Sequence, residues 1–236
     1  MLKEWEELPE KMRNDAVRPY WEVLWKRRRQ LRVKRAFDVV MSVVIIVILF
    51  IPMVVIAVAV KLGSPGPVLY RQVRITQYGR KFRICKFRTM YDEASRKENG
   101  IQVGSAVTVA NDSRVTKVGK VLRKYRLDEF PQLFNVLAGD MSFVGTRPEV
   151  EKYVDKYQSV WFATLLLPAG ITSECSIRYK DEDKLLSEAE NVDDVYLSKI
   201  LPAKMKINLS LLRHFSLGSE ALTMFRTVAA VAGKEY

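Results

Sequence analysis

Histidine is almost absent from this 236-residue chain and cysteine is scarce: the one His is His214, and the two cysteines are Cys85 and Cys175. The cysteines lie far apart and match no metal-ligand spacing, which excludes a disulfide scaffold and a zinc site and suits a reducing compartment. His214 stands in a basic, apolar stretch without ligand partners nearby, so it reads as structural. Acid–base or nucleophilic chemistry therefore has to come from carboxylates. Those are outnumbered, with 27 Asp and Glu against 39 Lys and Arg, for a formal charge of +12. The imbalance calls for a phosphate-bearing partner, whether anionic lipid, nucleic acid or phosphorylated substrate. The chain shows no internal repeat and no low-complexity tail, and its long apolar runs are limited to one.

That run is VVMSVVIIVILFIPMVVIAVAV, from Val39 to Val60, which carries no charge and meets the roughly 20-residue length of a bilayer-depth helix. Ala57-Val58-Ala59 resembles a signal cleavage site. The run is nevertheless longer than the about 7 to 15 apolar residues of a signal peptide, and a long polar stretch precedes it, so a retained anchor is expected. Both flanks are basic, from Lys26 to Arg35 and from Lys61 to Arg88. Positive charge would hold each flank in the cytoplasm, a demand that a single straight crossing cannot meet. Pro52, near the middle, removes a helix hydrogen bond and clashes with the carbonyl of Ile48. A helix that enters, bends at Ile51-Pro52 and returns to the same face satisfies both observations. A spanning helix is the alternative, since proline is tolerated there too. Trp5, Tyr20, Trp21 and Trp25 precede the anchor and suit either the headgroup level or an amphipathic helix packed on the domain.

Gly63-Ser64-Pro65-Gly66-Pro67 ends the apolar helix. Two strand-like runs follow, 68–75 and 81–90, parted by a turn at Gln77-Tyr78-Gly79, and they read as a basic β-hairpin. Residues 91–112 are polar and read as a loop with a short helix. Helical patterning returns at 115–125 and at 129–137, the second with Leu133, Phe134 and Leu137 on one face and Gly139 as its stop. Further helices are expected over 149–157, over the acidic 181–190 and from Asp193 onward with a break at Pro202. GITSECSIRY at 170–179 reads as a strand, and 224–231 is apolar enough to pack on the domain or rest on a membrane.

The stretch from Leu122 to Pro148, LRKYRLDEFPQLFNVLAGDMSFVGTRP, is the richest in chemistry. Asp128 and Glu129 sit side by side between Arg123, Lys124 and Arg126 on one side and an apolar helix on the other. The plain account is a helix N-terminus, with Asp128 as N-cap and Glu129 and Pro131 in the first turn. A chemical account is compatible with it, because a helix N-terminus also turns oriented N–H groups toward an anion.

Three strings, KFRTM at 86–90, RLDEFPQLFNVLAGDMSFVGTRPE at 126–149 and LPAGIT at 167–172, sit behind a basic-flanked anchor that ends before GSPGP. Together they resemble the bacterial sugar transferases, the monotopic polyprenyl-phosphate phosphoglycosyl transferases, over residues 33–231. The resemblance implies a re-entrant membrane helix, an Asp-Glu dyad, a magnesium ion (Mg2+) and a two-step reaction. In that family the Asp attacks the β-phosphate of a UDP-sugar and UMP leaves. Polyprenyl phosphate then takes the phosphosugar from the carboxylate. The match gives Asp128 the role of nucleophile, Glu129 that of magnesium ligand, and phosphate contacts to Lys86, Arg123 and Arg147. The chemistry is sound without the label: a carboxylate can form an acyl phosphate once magnesium and basic side chains offset the phosphate charge.

The fold class expected is α+β, mainly helical: a membrane re-entrant helix hairpin followed by a small cytoplasmic catalytic domain with a basic β-hairpin. Residues 1–35 form a basic, aromatic interfacial segment, 36–62 the re-entrant helix and 63–236 the catalytic domain. The implied partners are a UDP-sugar, polyprenyl phosphate and membrane lipid. The implied place is the cytoplasmic face of the inner membrane, at the first membrane-committed step of glycoconjugate or exopolysaccharide synthesis. Three positions depart from the family's habit. Ile51 precedes Pro52 where Ser is frequent, Thr146 stands where Pro is frequent, and SECSIRY follows GIT where a Gly-Leu-Ala-Gln run is usual, which marks a different sugar-recognising end. A nucleic-acid-binding module satisfies the charge screen but gives no reason for the apolar run, so no nucleic acid partner is expected. A non-catalytic scaffold on anionic lipid would explain anchor and charge, yet it needs no Asp-Glu pair.

Overall fold

The structure, a computed structural model, describes residues 2–92, 112–179 and 191–231. The loop expected within 91–112 and the acidic helix expected at 181–190 therefore fall almost wholly outside the described residues. What is described is mainly helical, with two small sheets. After two 3-10 turns come α1 (Arg18–Lys26) and α2 (Arg28–Gly63). The strands are β1 (Leu69–Ile75), β2 (Lys81–Phe87), β3 (Met141–Val144) and β4 (Ala169–Thr172). The remaining helices are α3 (Lys117–Lys124), α4 (Gln132–Ala138), α5 (Glu151–Val154), α6 (Glu174–Arg178), α7 (Val192–Val195), α8 (Leu201–Arg213) and α9 (Leu217–Val231).

Helix α2 contains the whole apolar run, and Pro52 lies inside it: the backbone is helical from Arg28 to Gly63, without a turn at Ile51-Pro52. At 1.5 Å per residue a helix of 36 residues is about 54 Å long. One side is packed, with Met53 and Val60 buried beside Phe87 and Leu122. The opposite side is bare: Val47, Ile48 and Ile51 are about 70% exposed. An apolar strip of this length facing outward has no stable place in water. The two ends of α2 are both tied to the same domain. Near the start, the Arg35 guanidinium donates to the carbonyls of Val136 and Leu137 at the C-terminus of α4, at 2.6 and 2.9 Å. Near the end, Gly63 packs against Val118 of α3.

The N-terminal segment belongs to the main core. Leu8, Met12, Val17, Tyr20 and Leu24 are buried with Leu166, Leu212 and Phe215. Of the two settings open to the N-terminal aromatics, the structure has the packed one: Trp21 stacks on Trp25 and meets Trp5 edge-on.

β1 and β2 form the expected antiparallel hairpin, with Ile75 opposite Lys81 and Leu69 opposite Phe87. The second strand ends at Phe87 rather than at residue 90. The Arg88 N–H still donates to the Val68 carbonyl at 2.9 Å, while its buried guanidinium ties the strand end to the preceding break, donating to the carbonyls of Ser64, Pro65 and Pro67 and to Ser64 Oγ. β3 and β4 pair in parallel, Met141 with Ala169 and Val144 with Thr172. Here the two backbones approach so closely that a Cβ on Gly170 would fall 2.2 Å from the nitrogen of Gly145. Only glycine fits such an approach.

Three further elements correct the sequence reading, the first being the helix expected from Asp193: it starts at Val192 and continues through a π-helical turn into α8, so there is no break at Pro202, which sits in the first turn of α8. The strand expected over 170–179 stops at Thr172, because Ser173 Oγ accepts from the Ser176 N–H and caps α6. The helix expected from Glu129 begins at Gln132, and Asp128 caps nothing: residues 127–129 form a 3-10 turn entered through Arg126 at φ 57°.

Candidate active site

Three segments distant in sequence converge on the two carboxylates. Lys86 comes from the end of β2. Asn135 of α4 sets its height by acting as a one-residue strand partner: its Oδ1 accepts from the Cys85 N–H and its Nδ2 donates to the Arg83 carbonyl, both at 2.9 Å. Arg147 comes from the turn after β3. Asp128 and Glu129 come from the 3-10 turn between α3 and α4, and both are buried. Lys86 Nζ and Arg147 Nη2 each donate to Glu129 Oε1 at 2.9 Å. Arg126 Nη1 stands 3.6 Å from the same oxygen. The second carboxylate oxygen, Oε2, accepts none of the hydrogen bonds found for Glu129 among the described residues.

The two carboxyls are driven in opposite directions. Burial is the largest influence on Glu129 and opposes ionisation, but Arg147, Lys86 and Arg126 outweigh it and hold the carboxyl well below the usual carboxylate range. Burial also pushes Asp128 up; the Lys86 charge pulls it back, and the Glu129 charge adds to the rise. Burial lowers the Lys86 ammonium against the support of Glu129. Neighbouring acids pushed apart in this way can divide their labour, one as a fixed anion and one as the reacting group.

Of the expected site residues, Lys86, Asp128, Glu129 and Arg147 are brought together. Arg123, in the last turn of α3, contributes through its charge on Asp128. Pro52 lies within α2, away from this cluster in sequence and in a different element. Sequence reasoning gave Arg126 no role at the site, although it is the third cation on Glu129. A non-glycine residue at positive φ costs about 1–3 kcal/mol and concentrates at functional sites, but no residue pattern announces it. Arg74, within the basic flank that follows the apolar run, is another residue that no motif singled out. Its guanidinium donates to the Pro148 carbonyl at 3.2 Å, beside Arg147.

A profile of the bacterial sugar transferases matches residues 29–234. The chain belongs to this family. It is 34% identical over 202 residues to the UDP-N-acetylgalactosamine-undecaprenyl-phosphate N-acetylgalactosaminephosphotransferase of Aeromonas hydrophila, a match covering 84% of this chain and 43% of that protein. It is 35% identical over 199 residues to the UDP-glucose:undecaprenyl-phosphate glucose-1-phosphate transferase of Escherichia coli K12, covering 83% and 39%. Identity reaches 45% over 127 residues with the protein of the same name from Caulobacter vibrioides, covering 53% and 45%. The chain thus spans about two fifths of the length of the first two relatives. The match takes in α2, both sheets and the Lys86–Glu129–Arg147 cluster, so the family's shared part includes the anchor and the candidate site together.

Proposed function

We propose that this sugar transferase moves a sugar 1-phosphate from a UDP-sugar to polyprenyl phosphate at a membrane surface, with Asp128 as nucleophile. The observation that carries the reading is the burial of two adjacent carboxylates in a nest of cations whose charges drive one down and leave the other raised. A lipid-binding scaffold has no use for that arrangement. The relatives' names supply the substrate classes.

In the first step an Asp128 carboxylate oxygen bonds to the β-phosphorus, the bond from that phosphorus to the oxygen bridging the two phosphates breaks, and UMP departs with the electron pair. In the second, a phosphate oxygen of polyprenyl phosphate attacks the same phosphorus and restores the carboxylate. Lys86, Arg123 and Arg147 face the phosphates. Among the described residues no cluster of three or more His, Cys, Asp or Glu could hold a metal. The donor set still fits magnesium, which is commonly held by one or two carboxylates plus substrate phosphates; Glu129, whose Oε2 accepts neither the Lys86 nor the Arg147 hydrogen bond, would hold it. The ion would neutralise charge on the phosphates. The experiment is UMP release from a panel of UDP-sugars, starting with UDP-glucose and UDP-N-acetylgalactosamine, with and without polyprenyl phosphate. No release from any of them would leave the scaffold as the better account.

Lys86→Met provides a sharper test, because the ammonium lowers the Asp128 carboxyl toward its ordinary range. Only the carboxylate attacks, so activity rises with pH through the raised Asp128 pKa, and the variant should move that limb further up. Turnover should fall about 100-fold, while vesicle binding, which rests on buried apolar area, stays within twofold. Equal losses in turnover and binding would return Lys86 to surface charge.

For the membrane we infer a re-entrant arrangement in which α2, kinked at most at Pro52 and not broken there, dips into one face and keeps both ends on it. Its support is that both ends of α2 are tied to one domain. A straight crossing would put those two ends on opposite sides of the about 30 Å of hydrocarbon, so the domain that joins them, including the charged face of α3 with Lys117, Lys120 and Lys124, would have to lie in the lipid. Cysteines placed singly at the exposed positions Glu22 and Lys120, with Cys85 and Cys175 replaced, should be labelled from the cytoplasmic side alone. Labelling of the two from opposite sides would end the re-entrant reading.

A further inference from the structure

Away from the dyad, the described residues hold a second buried ionic group at the junction of α2, β3 and α9. Lys34 and Asp38 lie one turn apart on α2 and grip consecutive residues of β3. Lys34 Nζ donates to the Val144 carbonyl at 2.9 Å, and the Phe143 N–H donates to Asp38 Oδ1 at 3.2 Å. From α9, Glu220 Oε2 reaches the same ammonium at 2.5 Å. The side chains of this pair are 7% and 14% exposed. The reading of Asp128 and Glu129 leaves all three residues unused.

We propose that Lys34 and Glu220 are positioning residues for the transfer: their ion pair fixes Val144, and three residues later Arg147, against Glu129. The inference rests on the function proposed above. Beyond Val144 the chain has no slack. The Gly145 N–H donates to the Thr172 carbonyl, the Gly170 N–H to the Thr146 carbonyl, and Arg74 to the Pro148 carbonyl. These bonds hold the segment that leads to Arg147 from the β4 and β1 side, and Lys34 supports it from α2. The other side of this segment offers no resistance. A cavity of about 50 Å³ is lined by Val144, Gly145, Thr146 and Glu220, together with side chains of α8 and α9. With the pair intact, Lys34 spans that weak wall. Without the Glu220 carboxylate, the ammonium keeps one carbonyl as its partner in these contacts, with the Asp38 charge one turn away on α2, and a less fully compensated buried charge is driven toward solvent. Val144 then loses its donor beside a space it can move into. Misplacement of a phosphate-binding group by about 1 Å can cost about 100-fold in rate.

The test is a double-mutant cycle on the full chain in lipid nanodiscs, using Glu220→Gln, Arg147→Ala and the double variant. UMP release is read by luminescence with UDP-glucose or UDP-N-acetylgalactosamine, whichever turns over. Glu220→Gln alone should lower kcat about tenfold or more, with a smaller change in KM. In the Arg147→Ala background the same substitution should cost less than twofold, because the group it positions has gone. A purely structural role, expressed as less folded protein, would give the same fold loss in both backgrounds, and that result overturns the proposal, as does unchanged kcat in the single variant. Wild-type protein that releases no UMP would instead sink the reading of the site on which the proposal rests.

Discussion

Asp128→Asn will leave the protein folded and membrane-bound but unable to carry a phosphosugar. Incubated with magnesium and a UDP-sugar it accepts, but without polyprenyl phosphate, the wild-type chain should gain the mass of one phosphosugar, since the first displacement can run while the second lacks its acceptor. Peptide mapping should place the adduct on Asp128. The amide keeps the side chain's shape and relieves the burial of a charge, so thermal stability should hold or rise slightly. As a nucleophile it is poor, and turnover should fall by about a thousandfold or more. Near-normal turnover in this variant, or an adduct on another residue, would falsify the assignment.

Glu129→Gln should be costly in a different way. Lys86, Arg147 and Arg126 would face a neutral amide, and breaking a buried ion pair by removing one partner typically costs about 3–5 kcal/mol. Arg126 and Arg147 reach solvent in part, so a loss of about 2 kcal/mol is expected. The pH dependence fixes the sign. The folded-state pKa of Glu129 is depressed, so its contribution is fully present above the ordinary carboxylate pKa and is lost as the pH falls through the depressed value. The stability gap between wild type and Glu129→Gln should accordingly be widest at neutral pH and close in strong acid. Turnover should fall together with its dependence on magnesium, because an amide is a poorer ligand for a hard cation. A gap that stays constant down to strong acid would show that Glu129 does not hold its charge as described, while unchanged metal dependence would remove only the ligand role and leave Asp128 standing.

What the sequence disclosed and what it hid divide along the range of the interactions. The apolar run, the turn at Gln77–Gly79 and the hairpin around it are local, set by composition and alternation, and were readable. The α4 start was misplaced by three residues because Asp128-Glu129-Phe130-Pro131 looks like a helix start, whereas the left-handed Arg126 turns the chain into a 3-10 turn first. β3 escaped notice because four residues, Met141–Val144, carry little pattern of their own and their partner lies beyond α5. At the site, the motif string pointed to the dyad and to Lys86 and Arg147. That both cations meet on one oxygen of Glu129 depends on tertiary contacts, the Asn135 clamp on β2 for Lys86 and the turn after β3 for Arg147. The Lys34–Glu220 pair joins residues 186 apart, and no local rule reaches so far.

The ties at the start of α2 also set an order of events during synthesis. The apolar helix emerges from the ribosome long before its partners, since Arg35 waits for a carbonyl 101 residues later. At about 5–20 residues per second that delay is about 5–20 seconds, during which one of the most hydrophobic segments of the chain lacks the contact that ties its start to the domain. On the membrane arrangement inferred above, the bilayer, or a carrier that delivers the nascent chain to it, receives the helix in that interval. The domain then folds onto an anchor whose depth and direction have already been chosen, so a substitution in the run acts on translation-coupled insertion before it can act on the finished enzyme.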